Sequence, residues 1–226
     1  EFSVEIDPTD VTDELIDMLG QYGLTRASIG VQDFEPKVQD AIGRQQSLEQ
    51  TQHVVSQLRK MQIEGINFDV LYGLPHQTAN SFAATLDKTL QMGPDRLAIY
   101  GYAHVPWVSK RQTLIPSDAL PPPEMRFALA ELARDRFVSA GYRSIGIDHF
   151  ARATDGLAKT HDEGRLKRNF QGYTDDQATT LIGFGASAIS HFEQGFVQNA
   201  VATSAYHERN RNGGLAGFKG YEMSGD

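Results

Sequence analysis

Two carboxylates interrupt segments that are otherwise suited to a buried strand: Glu5 in SVEID (3–7) and Asp69 in INFDVLYG (66–73). A carboxylate in such a segment needs a hydrogen-bonding or charged partner, which structure alone explains poorly. Carboxylates of this kind accept hydrogen bonds from hydroxyl or ammonium groups. Gln32 closes ASIGVQ (27–32) and offers both a donor and an acceptor; His104 closes RLAIYGYAH (96–104). Of the seven histidines, His104 and His149 sit near strand ends, where they could face a shared site, though each alone reads as a hydrogen-bonded structural residue; His53, His161 and His207 read as solvated ones. No closely spaced HxH or HExxH pair is present to hold a metal. There is no cysteine, which excludes disulfides, thiolate zinc sites, a cysteine nucleophile and any cysteine-held cluster within these residues.

The elements that must position these residues recur in a regular order. SVEID is followed by a helical pattern from Val11 to Tyr22, with Gly23 as its stop. ASIGVQ precedes a helix whose stripe is Leu48, Val54, Val55, Leu58 and Met61. INFDVLYG precedes a helix through Phe82, Leu86 and Leu90, and RLAIYGYAH precedes a helix from Pro122 to Ala140. YRSIGIDHF (142–150) and TLIGFGASAI (180–189) read as a fifth and a sixth strand. Apolar strands alternating with amphipathic helices predict an α/β fold with parallel strands buried on both faces. A (β/α) barrel brings the C-terminal ends of its strands to one mouth, and Glu5, Gln32, Asp69 and His104 lie at or near such ends. The count of units falls short of a closed barrel, so the expectation is a partial one over 1–190. A surface helix and a polar, Gly-rich tail over 191–226 would lead toward a missing C-terminal domain.

Composition bounds the function. The 226 residues are 40% hydrophobic and 22% charged, as expected for a globular domain. A formal net charge of −8 argues against a nucleic-acid or anionic-membrane surface. No apolar run approaches a bilayer span and no signal-peptide pattern opens the sequence, so the default compartment is the cytoplasm. Locally the balance reverses: Arg143, Arg152, Lys159, Arg165, Lys167 and Arg168 outnumber Asp148, Asp155, Asp162 and Glu163. By itself that run reads as a solvated loop.

The segments ASIGVQDF (27–34), FDVLYGLPHQT (68–78), GYAHVPW (101–107), GIDHFAR (146–152), RNFQGYT (168–174) and GFGASAIS (183–190) resemble the oxygen-independent coproporphyrinogen III oxidases of the radical S-adenosylmethionine superfamily. The resemblance covers essentially the whole chain. GVQDF and YGLP are shared with related heme chaperones, whereas DHFAR followed by RNFQGYT is specific to the oxidases.

This resemblance implies a radical S-adenosylmethionine barrel that binds two S-adenosylmethionine molecules. Glu5 and Ile189 match positions that contact the first; Gln32, Arg44, Asp69 and Ala103 match positions that contact the second. It further implies that a 4Fe-4S cluster on a CxxxCxxC motif generates a 5′-deoxyadenosyl radical, which converts two propionates of coproporphyrinogen III to vinyl groups. Protoporphyrinogen IX is the product. Arg152, Arg168, Asn169, Gln171 and Tyr173 are then the candidates for the substrate side, since a tetra-anion needs cationic or hydrogen-bonding partners. An unidentified electron donor is implied, with no nucleic-acid or membrane partner and a monomeric full-length protein. With no cluster motif in the sequence, the expectation is a central fragment, inactive by itself and unable to bind the cluster. Two competing readings remain: a heme-binding chaperone of the same superfamily, and a metal-dependent hydrolase barrel using Glu5, Asp69, His104 and His149.

Overall fold

A computed structural model describes residues 1–224. The chain forms two compact units, Glu1–Asp175 and Asp176–Asp226.

In the first unit the chain alternates β1 (Ser3–Ile6), α1 (Asp13–Gln21), β2 (Arg26–Gln32), α2 (Pro36–Ile42), α3 (Leu48–Lys60), β3 (Gly65–Tyr72), α4 (Ala79–Gln91) and β4 (Arg96–Gly101). There follow α5 (Pro123–Ser139), the short strands β5 (Arg143–Ile145) and β6 (His149–Ala151), α6 (Gly156–Asp162), β7 (Lys167–Asn169) and β8 (Gly172–Thr174). The helix starts are written locally. Ser47 and Gln50 form a reciprocal cap on α3, Thr78 and Ser81 do the same on α4, and the Thr12 side chain accepts from Leu15 N–H on α1.

The six-stranded sheet runs β1-β2-β3-β4-β6-β5, with the first four strands parallel and the last two antiparallel. One face carries Ala27, Ile29 and Val31 of β2, Ile66, Phe68 and Val70 of β3, and Leu97 and Ile99 of β4. These join Ile16, Val54, Leu58, Phe82, Leu86, Leu129 and Phe137 of the helices in one core. The intervening residues are Arg26, Ser28 and Gly30, Asn67 and Asp69, and Arg96, Ala98 and Tyr100, which side-chain alternation puts on the other face. The expectation of strands buried on both faces holds at Ser28 of β2 and at Arg96 and Ala98 of β4, while Asn67 and Asp69 of β3 are only partly covered. These strands have a period of two, with helices over the apolar face and polar chemistry on the reverse.

Two further expectations change. The fifth strand over 142–150 is a hairpin: Gly146 takes φ +61, and β5 turns back as β6, which pairs antiparallel with β4. The sixth strand over 180–189 does not form. Gly185 (φ +101) and Ser187 (φ +63) break the extended path, leaving Leu181 in an isolated antiparallel bridge to His191.

The second unit is a three-stranded antiparallel sheet, β11-β10-β9, built from β9 (Ile189–Phe192), β10 (Gly195–Asn199) and β11 (Gly217–Glu222). Helix α7 (Thr203–Arg211) has no buried residue, as a surface helix requires. Much of the polar, Gly-rich stretch after it is strand β11.

Candidate functional site

A cavity lies on the polar face of the parallel sheet. Register explains its lining: Glu5 faces Ser28 across β1 and β2, Ser28 faces Asn67, Asp69 faces Ala98, and Ala98 faces His149. The hairpin of β7 and β8 contributes Asn169, Gln171, Gly172, Tyr173 and Thr174. The cavity reaches from Arg26 and Arg96 at the strand starts to Glu5 and Tyr100, so it is not confined to the C-terminal ends.

Asp69 is held by two donors. Its Oδ2 accepts from Ser28 Oγ at 3.1 Å and its Oδ1 from Asn67 Nδ2 at 3.0 Å, while Asn67 Nδ2 also donates to Ser28 Oγ at 2.8 Å. Burial nonetheless raises the Asp69 carboxyl above the usual range, with the Asn67 and Ser28 bonds and the nearby His149 acting against it. Glu5, on the edge strand, is raised as well: first by desolvation at the cavity wall, then by repulsion from Asp69, against a bond from Ser28. The Tyr100 hydroxyl is pushed up to about 12 by burial and by the acids Asp69, Asp148 and Glu5. Two carboxylates with raised affinity for protons are suited to accept from ribose hydroxyls or an ammonium group.

Gln32 and Arg44 meet above Gly30, which pairs in register with Asp69. A Cβ at Gly30 would lie 2.9 Å from Gln32 Nε2 and 3.1 Å from Arg44 Nη2. Arg44 Nη2 donates to Gly30 O at 3.1 Å and pairs with Asp7 Oδ2 at 2.9 Å. Gln32 has φ +60, a left-handed conformation uncommon for a non-glycine. The turn behind it is fixed by buried Asp33, which accepts from Thr85 Oγ1 at 2.7 Å, Gln77 Nε2 at 2.6 Å and Glu35 N at 2.7 Å. Gln39 Nε2 donates to both Asp33 O and Gln46 O, tying that turn to the segment carrying Arg44.

The remaining sequence-derived residues are dispersed. Ala103 is exposed in the loop after β4, its carbonyl accepting from Gln112 Nε2. Ile189 begins β9 in the second unit. Arg168 stacks its guanidinium 5.5 Å from the Tyr173 ring. Arg152 is outside the cavity; its Nε donates to Pro94 O at 3.0 Å and its guanidinium lies over Tyr142. His104 is outside too, between the Tyr102 hydroxyl and Ser117 Oγ. Among the described residues no three His, Cys, Asp or Glu side chains converge as a metal would require.

Ser28, Asn67 and Tyr100 line the cavity without having been singled out for it, and so does His149, one of the two histidines placed near a strand end. The signal that finds the first three is alternation along the strands, which puts Ser28 on the face of Arg26, Asn67 on that of Asp69 and Tyr100 on that of Arg96; His149 follows from its register with Ala98.

Comparison with known proteins shows what the chain is similar to. Residues 1–89 match the radical SAM superfamily. Over all 226 residues the chain is 53% identical to an oxygen-independent coproporphyrinogen III oxidase of Paracoccus denitrificans, covering 50% of that protein. The chain is thus similar, over its whole length, to part of an oxygen-independent coproporphyrinogen III oxidase. A relative of the same name in Cereibacter sphaeroides is 53% identical over 224 residues, again across 50% of its length. The solved coproporphyrinogen III oxidase of Escherichia coli, described as a radical SAM enzyme, superposes with a TM-score of 0.95 at 37% identity. That match covers 99% of this chain and 52% of the other. The chain thus spans about half the length of the oxidases it matches.

The superfamily implies S-adenosylmethionine and a 4Fe-4S cluster. The acceptors Glu5 and Asp69 fit the former. The latter does not fit these 226 residues, which contain no cysteine to hold it.

Proposed function

We propose that this chain supplies the cofactor- and substrate-facing sheet of an oxygen-independent coproporphyrinogen III oxidase, in which the cluster ligands are residues other than these 226. The reaction is oxidative decarboxylation of two propionates of coproporphyrinogen III to vinyl groups, giving protoporphyrinogen IX. The observation that carries this reading is the convergence of Glu5 and Asp69 with Asn169, Gln171 and Tyr173 on one cavity, in a chain 53% identical to such oxidases over its whole length.

When bound, S-adenosylmethionine supplies the group that abstracts hydrogen from the propionate. The chain binds and orients. Glu5 and Asp69 accept hydrogen bonds from the adenosyl ribose and the methionine ammonium, and Arg44 pairs with a methionine carboxylate. Gln32, on its fixed turn, orients the second of two S-adenosylmethionine molecules, which Ala103 also contacts. On the substrate side we assign Asn169, Gln171 and Tyr173, a reading supported by their lining the cavity, and Arg168, whose guanidinium stacks on Tyr173. Arg152 contributes through the loop it anchors to Pro94. The electrons that reduce the cluster come from a donor protein, and we infer a cytoplasmic monomer.

The test is anaerobic incubation of the full-length protein with S-adenosylmethionine, a reductant and coproporphyrinogen III. Substrate-dependent release of 5′-deoxyadenosine together with protoporphyrinogen IX is expected. Stable heme binding with no turnover would instead establish a chaperone.

A further inference from the structure

His149 lines the cavity with Glu5 and Asp69 of the sheet and with the hairpin of β7 and β8. Its Nδ1 lies 2.7 Å from Asp148 Oδ1. An ionised carboxylate can only accept, so Nδ1 is the nitrogen that carries the proton. In the neutral ring Nε2 then holds a lone pair and is an acceptor. Two tyrosines brace the ring: the centroid of Tyr100 is 6.0 Å away and that of Tyr173 5.4 Å, both rings near perpendicular to it. Gly172, at φ +139, keeps the Cε1–Nε2 edge clear, since a Cβ there would stand 3.3 Å from Cε1 and 3.4 Å from Nε2. Only 12% of the side chain is exposed, and among the described residues Nε2 has no hydrogen-bond partner. A covered acceptor left unmatched costs free energy until a donor reaches it.

The rest of the wall indicates which ligand brings that donor. Charged and amide donors of the sheet are spent within it: Arg96 Nε and Nη2 bond to Asp155 and Asp175, Arg26 pairs with Glu1 and Asp155, and Asn67 Nδ2 donates to Ser28 Oγ and Asp69 Oδ1. Arg26 Nη1 has no partner, but it is buried against Gly65 rather than presented to the space. The groups left toward the space are chiefly acceptors: Glu5, Asp69 and His149 Nε2. Such a wall repels a carboxylate and suits a ligand face that carries N–H groups.

We propose that His149 Nε2 accepts a hydrogen bond from an N–H of the bound ligand, with Asp148 as the positioning residue that holds the ring in the accepting tautomer. The inference rests on the reading of this cavity as the site for S-adenosylmethionine and porphyrinogen. The donor is therefore a pyrrole N–H of the porphyrinogen or an amino N–H of S-adenosylmethionine.

Nitrogen-15 imidazole resonances of the full-length protein, labelled at histidine and kept anaerobic at about pH 8, above the ordinary imidazole range, test this directly. The His149 pair is assigned by its disappearance in His149→Gln. In the ligand-free protein Nδ1 should carry the proton and Nε2 none, and Asp148→Asn should move the proton partly to Nε2. Coproporphyrinogen III and S-adenosylmethionine, added separately, identify the source: the ligand that supplies the N–H shifts the Nε2 resonance and leaves that nitrogen unprotonated. By calorimetry His149→Phe, which keeps a ring but has no acceptor, should bind that ligand about tenfold more weakly. His149→Gln, whose side-chain carbonyl can accept, should recover part of the loss. Because the resonances are read in the unmodified protein, misfolding of His149→Phe leaves the test intact. A proton on Nε2 in the ligand-free protein, bound ligands that leave its resonance in place, or full affinity in a folded His149→Phe overturns the inference while the reading of the cavity stands. If the unmodified protein binds neither ligand, that reading fails and the inference falls with it.

Discussion

Asp69 is the residue on which sequence and structure agree most closely, and its protonation has a consequence for stability. The carboxyls of Asp69, Glu5 and buried Asp33 are all raised by burial, the last despite bonds from Thr85, Glu35 and Gln77. An acid whose folded pKa exceeds its unfolded value binds protons more tightly when folded. Its contribution therefore improves as pH falls through the raised value toward the ordinary carboxylate range, and is lost as pH rises. Melting temperature followed from pH 7.5 down to the ordinary carboxylate range, about pH 4, should show this gain, and Asp69→Asn should diminish it; a difference that survives the substitution intact would exclude Asp69 as a source. Glu5 and Asp69 were legible because a carboxylate in an apolar strand calls for a partner. His149 was legible only as a histidine near a strand end. Its place in the cavity depends on register with Ala98 and on the approach of Tyr173 and Gly172, which local pattern does not specify.

At the scale of elements, the first four strands and their helices follow from alternating apolar runs and punctuating residues, and they form where the pattern puts them. The later part of the unit departs from it because turn conformation overrides β propensity. Gly146 is the decisive position: it adopts φ +61, and a Cβ there would meet the Tyr173 ring at 2.0 Å. It both turns the β5–β6 hairpin and admits the β7–β8 hairpin that walls the cavity. Gly146→Ala should cost about 2 kcal/mol or more in denaturant unfolding, from the left-handed backbone and from displacement of Tyr173. An unfolding midpoint equal to that of the parent protein would show that neither constraint operates. The stretch around Gly185 and Ser187 misled the reading for the same reason: small apolar residues suggest a strand, whereas the backbone there takes positive φ.

At the scale of the whole molecule, each unit has its own source of order. In the first, the helix-covered face supplies the core and leaves the reverse face free for binding. The strand starts on that reverse face are closed by an ion cluster: Arg96 bridges Asp155, the N-cap of α6, at 2.6 Å and Asp175 at 2.9 Å. Arg26 shares Asp155, and its Nη1 is buried against Gly65 without a hydrogen-bond partner. Removing one member of a buried pair strands the others, so Arg96→Leu should destabilise by about 3–5 kcal/mol. Chemical denaturation measures it, and a loss below about 1 kcal/mol would place the pair among weak surface ion pairs. Sequence alone recorded these residues only as charges, because Arg96, Asp155 and Asp175 are brought together by topology. The account as a whole rests on the polar sheet face being the S-adenosylmethionine site. Equilibrium dialysis of S-adenosylmethionine against the full-length protein and its Glu5→Gln and Asp69→Asn variants tests this most directly. Binding by the unmodified protein, weakened about tenfold or more in each variant with circular dichroism unchanged, is the predicted result; full affinity in both variants would contradict it.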